Sequence, residues 1–389
     1  MTRRLLNDDL HSDSDRRLYT GHGVRQIFSR NPSVTIQRLR RAATAAFFAV
    51  LCLAASVSTA ARADGTVVRE VSFHVQNTNT SGVPCPSDNA DYTVHGHIVG
   101  PQSVLAGPEP RAVTVYLGGE DAGEWNWRLT AIPGYDWPAQ MARLGHVSLT
   151  IDMLGYGASG HPDGEQSCWG SQADVAHQII TQLRGPSYTV DRGAPVKFQK
   201  IVLAGHDAGG AIAEIEAYSY KDINGLALVT YADQGFTPLL MERFARAGTV
   251  CAAGGEPAYP GGPGGYYYME RPDEYQPDLF YDADPAVIDA VIRLRERNPC
   301  GAITWATPAV TINPVRDAEI RPPVLLVIGR EDKIWTQEGW ALQKGHFTGS
   351  SDVTAVSIPG TGHFPMFERT LPQFRAIFSD WLTGHHLGG

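Results

Sequence analysis

Short β-branched runs alternate with longer amphipathic stretches along most of this chain, the pattern of an α/β fold with a mostly parallel central sheet flanked by helices. The runs predict strands over 67–75, 92–99, 112–117, 147–152, 200–204, 225–231, 323–328 and 353–358. The first two alternate with period 2 and predict an antiparallel hairpin. The middle ones, such as IVLAG and LLVIG, are almost continuously apolar, as strands covered on both faces are. Helices are predicted over 137–144, 172–183, 207–220, 337–346 and 371–382. Between Ala232 and about Arg321 the alternation stops, and a stretch rich in Gly, Pro and Tyr predicts a single helix, 285–297. About ninety residues without a sheet strand is too long for an ordinary connection. Residues 232–321 therefore read as a lid inserted after the sixth strand of one domain, 64–389.

Upstream, the apolar stretch 42–60 follows Arg38, Arg40 and Arg41 and precedes Ala61-Arg62-Ala63. A basic segment, an apolar core and a small-x-small site predict a secretory signal peptide cut after Ala63, so 1–63 reads as an extension plus signal and the mature protein as extracellular. An uncleaved anchor is the rival, since 19 residues just span a bilayer; the Ala and Ser content and the cleavage site favour removal, leaving no stable membrane span. Residues 1–63 hold ten Arg and four Asp of the chain's 32 basic and 41 acidic residues, so the remainder carries 22 against 37. That acidic excess speaks against nucleic acid as a partner. The mature chain also keeps Cys85, Cys168, Cys251 and Cys300, which in an oxidising compartment imply up to two disulfides. Three connectivities are open; Cys85–Cys168 with Cys251–Cys300 is expected, because the second pair would close off one inserted segment. No CxxC or HxxxH spacing accompanies the cysteines, and no P-loop follows a strand, so no cofactor or metal is expected.

The sharpest chemical signal is Gly205-His206-Asp207-Ala208-Gly209-Gly210, which follows an apolar strand and opens a helix. Small residues at a strand-to-helix junction permit a tight turn that holds the central side chain at strained angles, beside the positive end of a helix. Alone, the motif could equally mark an Asp capping a helix. Two later strands run into Gly329-Arg330-Glu331-Asp332 and Pro359-Gly360-Thr361-Gly362-His363-Phe364. A reactive side chain at 207, an acid at 332 and a base at 363 thus stand in order, each just past a strand's C-terminal end, where an open α/β sheet places its site.

With these residues, the chain resembles the α/β-hydrolase fold superfamily over nearly all of its mature length. Asp152-Met153-Leu154-Gly155-Tyr156-Gly157-Ala158-Ser159 matches that family's D-x-x-G-x-G-x-S turn, and Leu117-Gly118-Gly119-Glu120 stands in its oxyanion loop. An Asp at the elbow is similar to the epoxide hydrolase and haloalkane dehalogenase branch, and Gly-His-Asp-x-Gly-Gly to epoxide hydrolases. The resemblance implies Asp207 as nucleophile, His363 as base, Asp332 as its orienting acid, and the backbone N–H groups of Ala208 and Glu120 as oxyanion donors. Departures are visible: Gly118-Gly119-Glu120-Asp121 replaces the usual His-Gly-x-Pro, and Ala208 stands where dehalogenases place a halide-holding Trp. An acidic Glu120 would repel a departing halide, which disfavours dehalogenation.

The chemistry of a carboxylate nucleophile narrows the reaction. Attack on an sp³ carbon leaves an ordinary ester that water can hydrolyse, whereas attack on an acyl carbon leaves a mixed anhydride. Epoxide opening through an alkyl-enzyme ester is the leading expectation, on a small and apolar substrate. The resemblance implies that lid tyrosines protonate the epoxide oxygen, and the lid offers Tyr259, Tyr266, Tyr267, Tyr268, Tyr275 and Tyr281, with Tyr266, Tyr267 and Tyr268 expected to bind substrate, Trp125 as a pocket-lining residue and Trp127 either lining it or packing beneath. The rivals are an ester or lactone hydrolase-like or non-hydrolytic enzyme with Asp in place of Ser, and a binding protein on the same scaffold.

Overall fold

The computed structural model describes residues 65–109 and 111–388; the apolar stretch 42–60 and the expected cleavage site lie outside the described residues. Strands β1 (Thr66–Gln76), β2 (Asp91–Pro101), β3 (Ala112–Leu117), β4 (Ser148–Ile151), β5 (Thr189–Val190), β6 (Lys200–His206), β7 (Gly225–Val229), β8 (Tyr266–Tyr267), β9 (Asn298–Pro299), β10 (Val324–Gly329) and β11 (Val353–Ile358) appear in chain order. Nine of them form one sheet in the order β11-β10-β7-β6-β3-β4-β2-β1-β5. From β4 through β3, β6, β7 and β10 to β11 every pairing is parallel. β2 runs antiparallel to both β1 and β4, so the expected hairpin forms the sheet's other side. The structure has the α/β-hydrolase fold.

The parallel strands bury every residue of β3, β7 and β10, which explains their unbroken apolar runs. Parallel direction also sets the ends of β3, β6, β7, β10 and β11 along one edge, where the loops carrying Glu120, Asp207, Asp332 and His363 begin. Beneath the β3 loop, Tyr116, Trp127 and Trp137 interlock, with the Tyr116 and Trp127 ring centroids 4.7 Å apart. The Trp127 indole N–H donates to the Leu117 carbonyl at 2.8 Å. Trp127 is therefore packing that supports the loop.

Between β7 and β10 the chain is more ordered than its composition predicts. Helix Pro238–Ala252 is absent from the sequence-based reading, although Thr237, whose side chain accepts from the Leu240 N–H, and Pro238 at the first turn give it a proper start. Helix Ala306–Arg316 is likewise additional, and β8 pairs with β9. The expected helix 285–297 stops earlier, as Pro285–Leu294, because the Glu296 N–H leaves the helical ladder to donate to the Asp121 carbonyl at 2.8 Å.

Both disulfides take the expected pairing. Cys85–Cys168 ties the β1–β2 connection to the start of helix Trp169–Arg184, and Cys251–Cys300 ties the end of helix Pro238–Ala252 to the residue after β9. Two disulfides fit an exported protein, and no helix among the described residues is long and apolar enough to cross a membrane. Cys251 and Cys300 pack with Tyr267 and Met269 in one buried cluster. Closing a loop of 49-residue separation restricts the unfolded chain strongly. Replacing both Cys251 and Cys300 with Ser should lower unfolding stability by about 2–5 kcal/mol, measured by denaturant titration; an unchanged midpoint would contradict this role.

Candidate active site

The elbow forms because β6 continues to His206, with Gly205 still paired to Leu117 and His206 to Val229, and helix Ala208–Tyr220 starts at once. Asp207 between them sits at φ 51° and ψ −123°, a region that non-glycine residues occupy at a cost. The turn is possible only with glycine around it. A Cβ on Gly205 would lie 2.0 Å from the Gly209 carbonyl oxygen, and one on Gly209 2.5 Å from that of Gly118. The motif thus locks the elbow against the β3 loop and projects the Asp207 carboxylate over the sheet edge.

The loop after β3 is braced from two sides. Asn126 Oδ1 accepts from the Gly119 N–H at 2.6 Å. The Asp152 carboxylate accepts from Glu124 N–H at 2.7 Å and Ala158 N–H at 2.9 Å, while Ser159 Oγ donates to the Asp152 carbonyl at 2.6 Å. A D-x-x-G-x-G-x-S turn is therefore a clamp on the neighbouring loop. The clamp aims the Glu120 backbone N–H at Asp207 Oδ2, 3.0 Å away.

Asp207 Oδ1 faces His363 Nε2 at 3.7 Å, too far for a hydrogen bond. The other side of that imidazole is tightly held, with His363 Nδ1 donating to Asp332 Oδ2 at 2.8 Å. Asp332 Oδ1 in turn accepts from the N–H groups of Ile334 and Trp335, at 2.6 and 2.9 Å. Burial alone would depress the imidazole's pKa; the charge and hydrogen bond of Asp332, with the charge of Asp207, outweigh it and hold His363 above the usual value. The buried Glu368 carboxylate fixes the backbone before His363, accepting from Gly362 N–H at 3.1 Å and from Tyr281 and Asp282 at 2.8 and 2.6 Å. His206 is a packing residue. Burial pulls its ring down to about 3, so it is neutral at pH 7, and Nε2–H donates to the His363 carbonyl at 2.9 Å.

These groups open onto a cavity at the sheet edge. Glu120, Asp207, Ala208, Glu270 and His363 line it, and Trp169, Phe244, Leu279, Trp335 and Phe364 supply apolar walls. Several residues expected there stand elsewhere. Trp125 is buried in a stack against Phe367, with centroids 6.2 Å apart. Tyr266 points away, its hydroxyl donating to the Pro162 carbonyl at 2.8 Å, and the Tyr268 ring lies under the guanidinium groups of Arg295 and Arg297. Tyr267 reaches the site indirectly, donating to Glu120 Oε2 at 3.0 Å.

Acidic groups take the place of the tyrosines. Glu120 is held well above the ordinary carboxyl range by burial, then by the charges of Asp207 and Asp121, which weakens the repulsion of an anion expected from the sequence. Glu270 is raised too, by burial first and then by Asp121, Glu120 and Asp207. Its carboxyl makes no hydrogen bond or ion pair among the described residues. The sequence reading passed over Glu270 because nothing local marks it. It reaches the site through Asp121, which accepts from the backbone N–H groups of Met269 and Glu270, from Asn298 Nδ2 and from the Tyr275 hydroxyl, at 2.6–3.2 Å.

Residues 105–376 match the Alpha/beta hydrolase family. Among solved structures, the chain is similar to a thermophilic esterase from Thermogutta terrifontis, with TM-score 0.54 and 18% identity over 81% of this chain and 99% of that one. It is also similar to an esterase from Exiguobacterium antarcticum (0.53, 15%, 78% and 98%) and to the enol-lactonase from Burkholderia xenovorans LB400 (0.52, 17%, 75% and 97%). At these identities the likeness is one of fold. No curated protein sequence matches it. With its sheet order, its elbow and a family match across most of its length, the chain belongs to the alpha/beta hydrolase family.

Proposed function

We propose that this protein is an exported hydrolase that opens epoxides of small apolar molecules through a covalent ester on Asp207. The observation that carries this reading is the division of labour on one carboxylate: Oδ2 rests on the Glu120 N–H, while Oδ1 faces the cavity with 3.7 Å between it and His363 Nε2. An oxygen so presented attacks an sp³ carbon and forms an ester, and the gap beside it admits a water.

The steps balance as follows. Asp207 Oδ1 forms a bond to an epoxide carbon, the C–O bond of the ring breaks, and the ring oxygen takes a proton from Glu270. Water, losing a proton to His363 Nε2, then attacks the Asp207 carbonyl carbon. The N–H groups of Glu120 and Ala208 stabilise the tetrahedral oxyanion, and Asp332 stabilises the imidazolium. The centre collapses with release of the alkoxide, which takes the imidazolium proton; the proton left on Asp207 returns to Glu270. Glu270 replaces the tyrosines as proton donor because it lines the cavity and burial among other acids favours its protonated form, whereas Tyr266 and Tyr268 are turned away. The lining of Trp169, Phe244, Trp335 and Phe364 favours an apolar substrate.

Replacing His363 with Gln should leave the first step intact and stop the second. With a styrene-oxide-like probe, intact mass should show one adduct per chain, mapping to the peptide that holds Asp207. Turnover of nitrophenyl esters without an adduct would favour the ester hydrolase reading. Glu270→Gln should slow epoxide opening by about 10²–10⁴-fold in a pre-steady-state assay while hydrolysis of a preformed ester on Asp207 stays unchanged; equal loss in both steps would contradict its role as the acid. In the parent enzyme, ester hydrolysis should fall as pH drops through the His363 pKa, because the imidazolium cannot accept a proton. An ester-hydrolysis rate that does not fall with acidification in single-turnover kinetics would count against His363 as the base.

A further inference from the structure

Away from the cavity, a second group of ionisable side chains converges where the insertion between β7 and β10 leaves and rejoins the sheet. Asp233 follows β7, Asp317 directly follows helix Ala306–Arg316 ahead of β10, and His346 follows helix Gln337–Gln343. One ligand atom from each lies within 4.8 Å of the other two. Asp317 is fully buried and neither of its carboxylate oxygens has a hydrogen-bond partner; Asp233, 2% exposed, has Oδ1 unpartnered as well. Its Oδ2 contacts His346 Nδ1 at 2.5 Å.

His346 offsets the charge of Asp233, but among the described residues no such group acts on Asp317. Glu214 stands nearby, but its oxygens are engaged by Gln343 Nε2 at 2.6 Å and Asn313 Nδ2 at 3.0 Å. Burial, Glu214 and Asp233 all push the Asp317 carboxyl well above its ordinary range, and no cation acts on it. A superficially similar trio, His177, Glu216 and Asp222, differs on this point, since the Arg184 guanidinium acts on Glu216 and donates to the Asp222 carbonyl. Buried carboxylates are paired or bind metals, and the groups acting on the Asp317 carboxyl are two further acids, Glu214 and Asp233.

We infer that Asp233, Asp317 and His346 form a site for a divalent cation of the zinc class. One imidazole nitrogen with two carboxylates is a borderline donor set, which suits Zn²⁺ better than the all-oxygen shells of Ca²⁺ or Mg²⁺. Ligand atoms around one tetrahedral zinc stand roughly 3.3 Å apart, so small side-chain rotations convert the observed cluster into a shell with a fourth position for water. The His346 side chain, 24% exposed, gives the ion a route from solvent. A bound ion would join both ends of the insertion to the segment after helix Gln337–Gln343. Tyr231, two positions before Asp233, lines the substrate cavity, so the site would steady one cavity wall. The three ligands lie far apart in sequence, which is why no local spacing announced them.

The test uses the full exported chain stripped with a chelator and titrated with ZnCl₂, and involves no substrate. The expected result is one zinc per chain by elemental mass spectrometry and a rise in melting temperature of roughly 5 °C when zinc is about 100-fold above its dissociation constant. His346→Gln and Asp317→Asn should each weaken zinc binding at least about 100-fold, beyond what losing an outer hydrogen-bond partner costs. Should Asp317→Asn not fold, the partly exposed His346→Gln decides alone. No stoichiometric zinc in the parent protein, or equal uptake by His346→Gln, would overturn the proposal and leave Asp233 and Asp317 as a pair sharing a proton. Stoichiometric binding of CaCl₂ or MgCl₂ with exclusion of zinc would overturn the assigned class.

Discussion

The backbone of Asp207 is held where an L-residue does not rest, and much of the active edge is arranged to keep it there. A φ of 51° between a strand and a helix needs glycine at 205 and 209, because a side chain on either would strike backbone carbonyls of the elbow or the β3 loop. The β3 loop must then lie against the elbow, which the Asp152 clamp, Asn126 and the Trp127 indole ensure. The outcome is a carboxylate with one oxygen on a backbone donor and the other open to the cavity. Strain at this position is stored by packing elsewhere in the sheet and its loops.

The second organising feature is negative charge under burial. Glu120, Asp207 and Glu270 line the cavity, with Asp121 bonded to the Glu270 backbone N–H, and among the described residues no arginine or lysine lines it. They solve the electrostatic problem differently. Asp121 accepts four hydrogen bonds and serves as the peg on which the insertion hangs. Burial and neighbouring charges push the Glu120 and Glu270 carboxyls upward, which favours their protonated forms beside Asp207. Asp332, bound to His363 and to two backbone N–H groups, orients the ring. In the proposed mechanism, acidic side chains thus serve as peg, acid, anchor and nucleophile according to their partners.

Much of this was legible in the sequence, and the failures share one cause. Apolar runs located eight of the nine strands of the main sheet to within two residues, since burial on both faces leaves no other reading of stretches such as LLVIG; the two-residue β5 was not among them. Gly205-His206-Asp207-Ala208-Gly209-Gly210 disclosed its turn because the glycines are sterically required. Asp332 and His363 were visible because they follow strands. Between β7 and β10, composition misled: Gly, Pro and Tyr suggested irregular chain, while Thr237-Pro238 already marked a helix start. The tyrosines drew attention as acids, yet Tyr266 and Tyr268 satisfy themselves on Pro162 and on two arginines. Glu270 and the Asp233, Asp317, His346 cluster depend on contacts between distant segments, which no local pattern encodes.

The account stands on a bond between Asp207 and substrate carbon, and oxygen isotopes report on that bond directly. In a single turnover with enzyme in excess, an epoxide is opened in H₂¹⁸O and both product and the Asp207 peptide are weighed. The account predicts ¹⁸O in the Asp207 carboxylate and unlabelled oxygen in the product. Label in the product alone, with Asp207 unchanged, would mean that water attacks substrate directly and would contradict it.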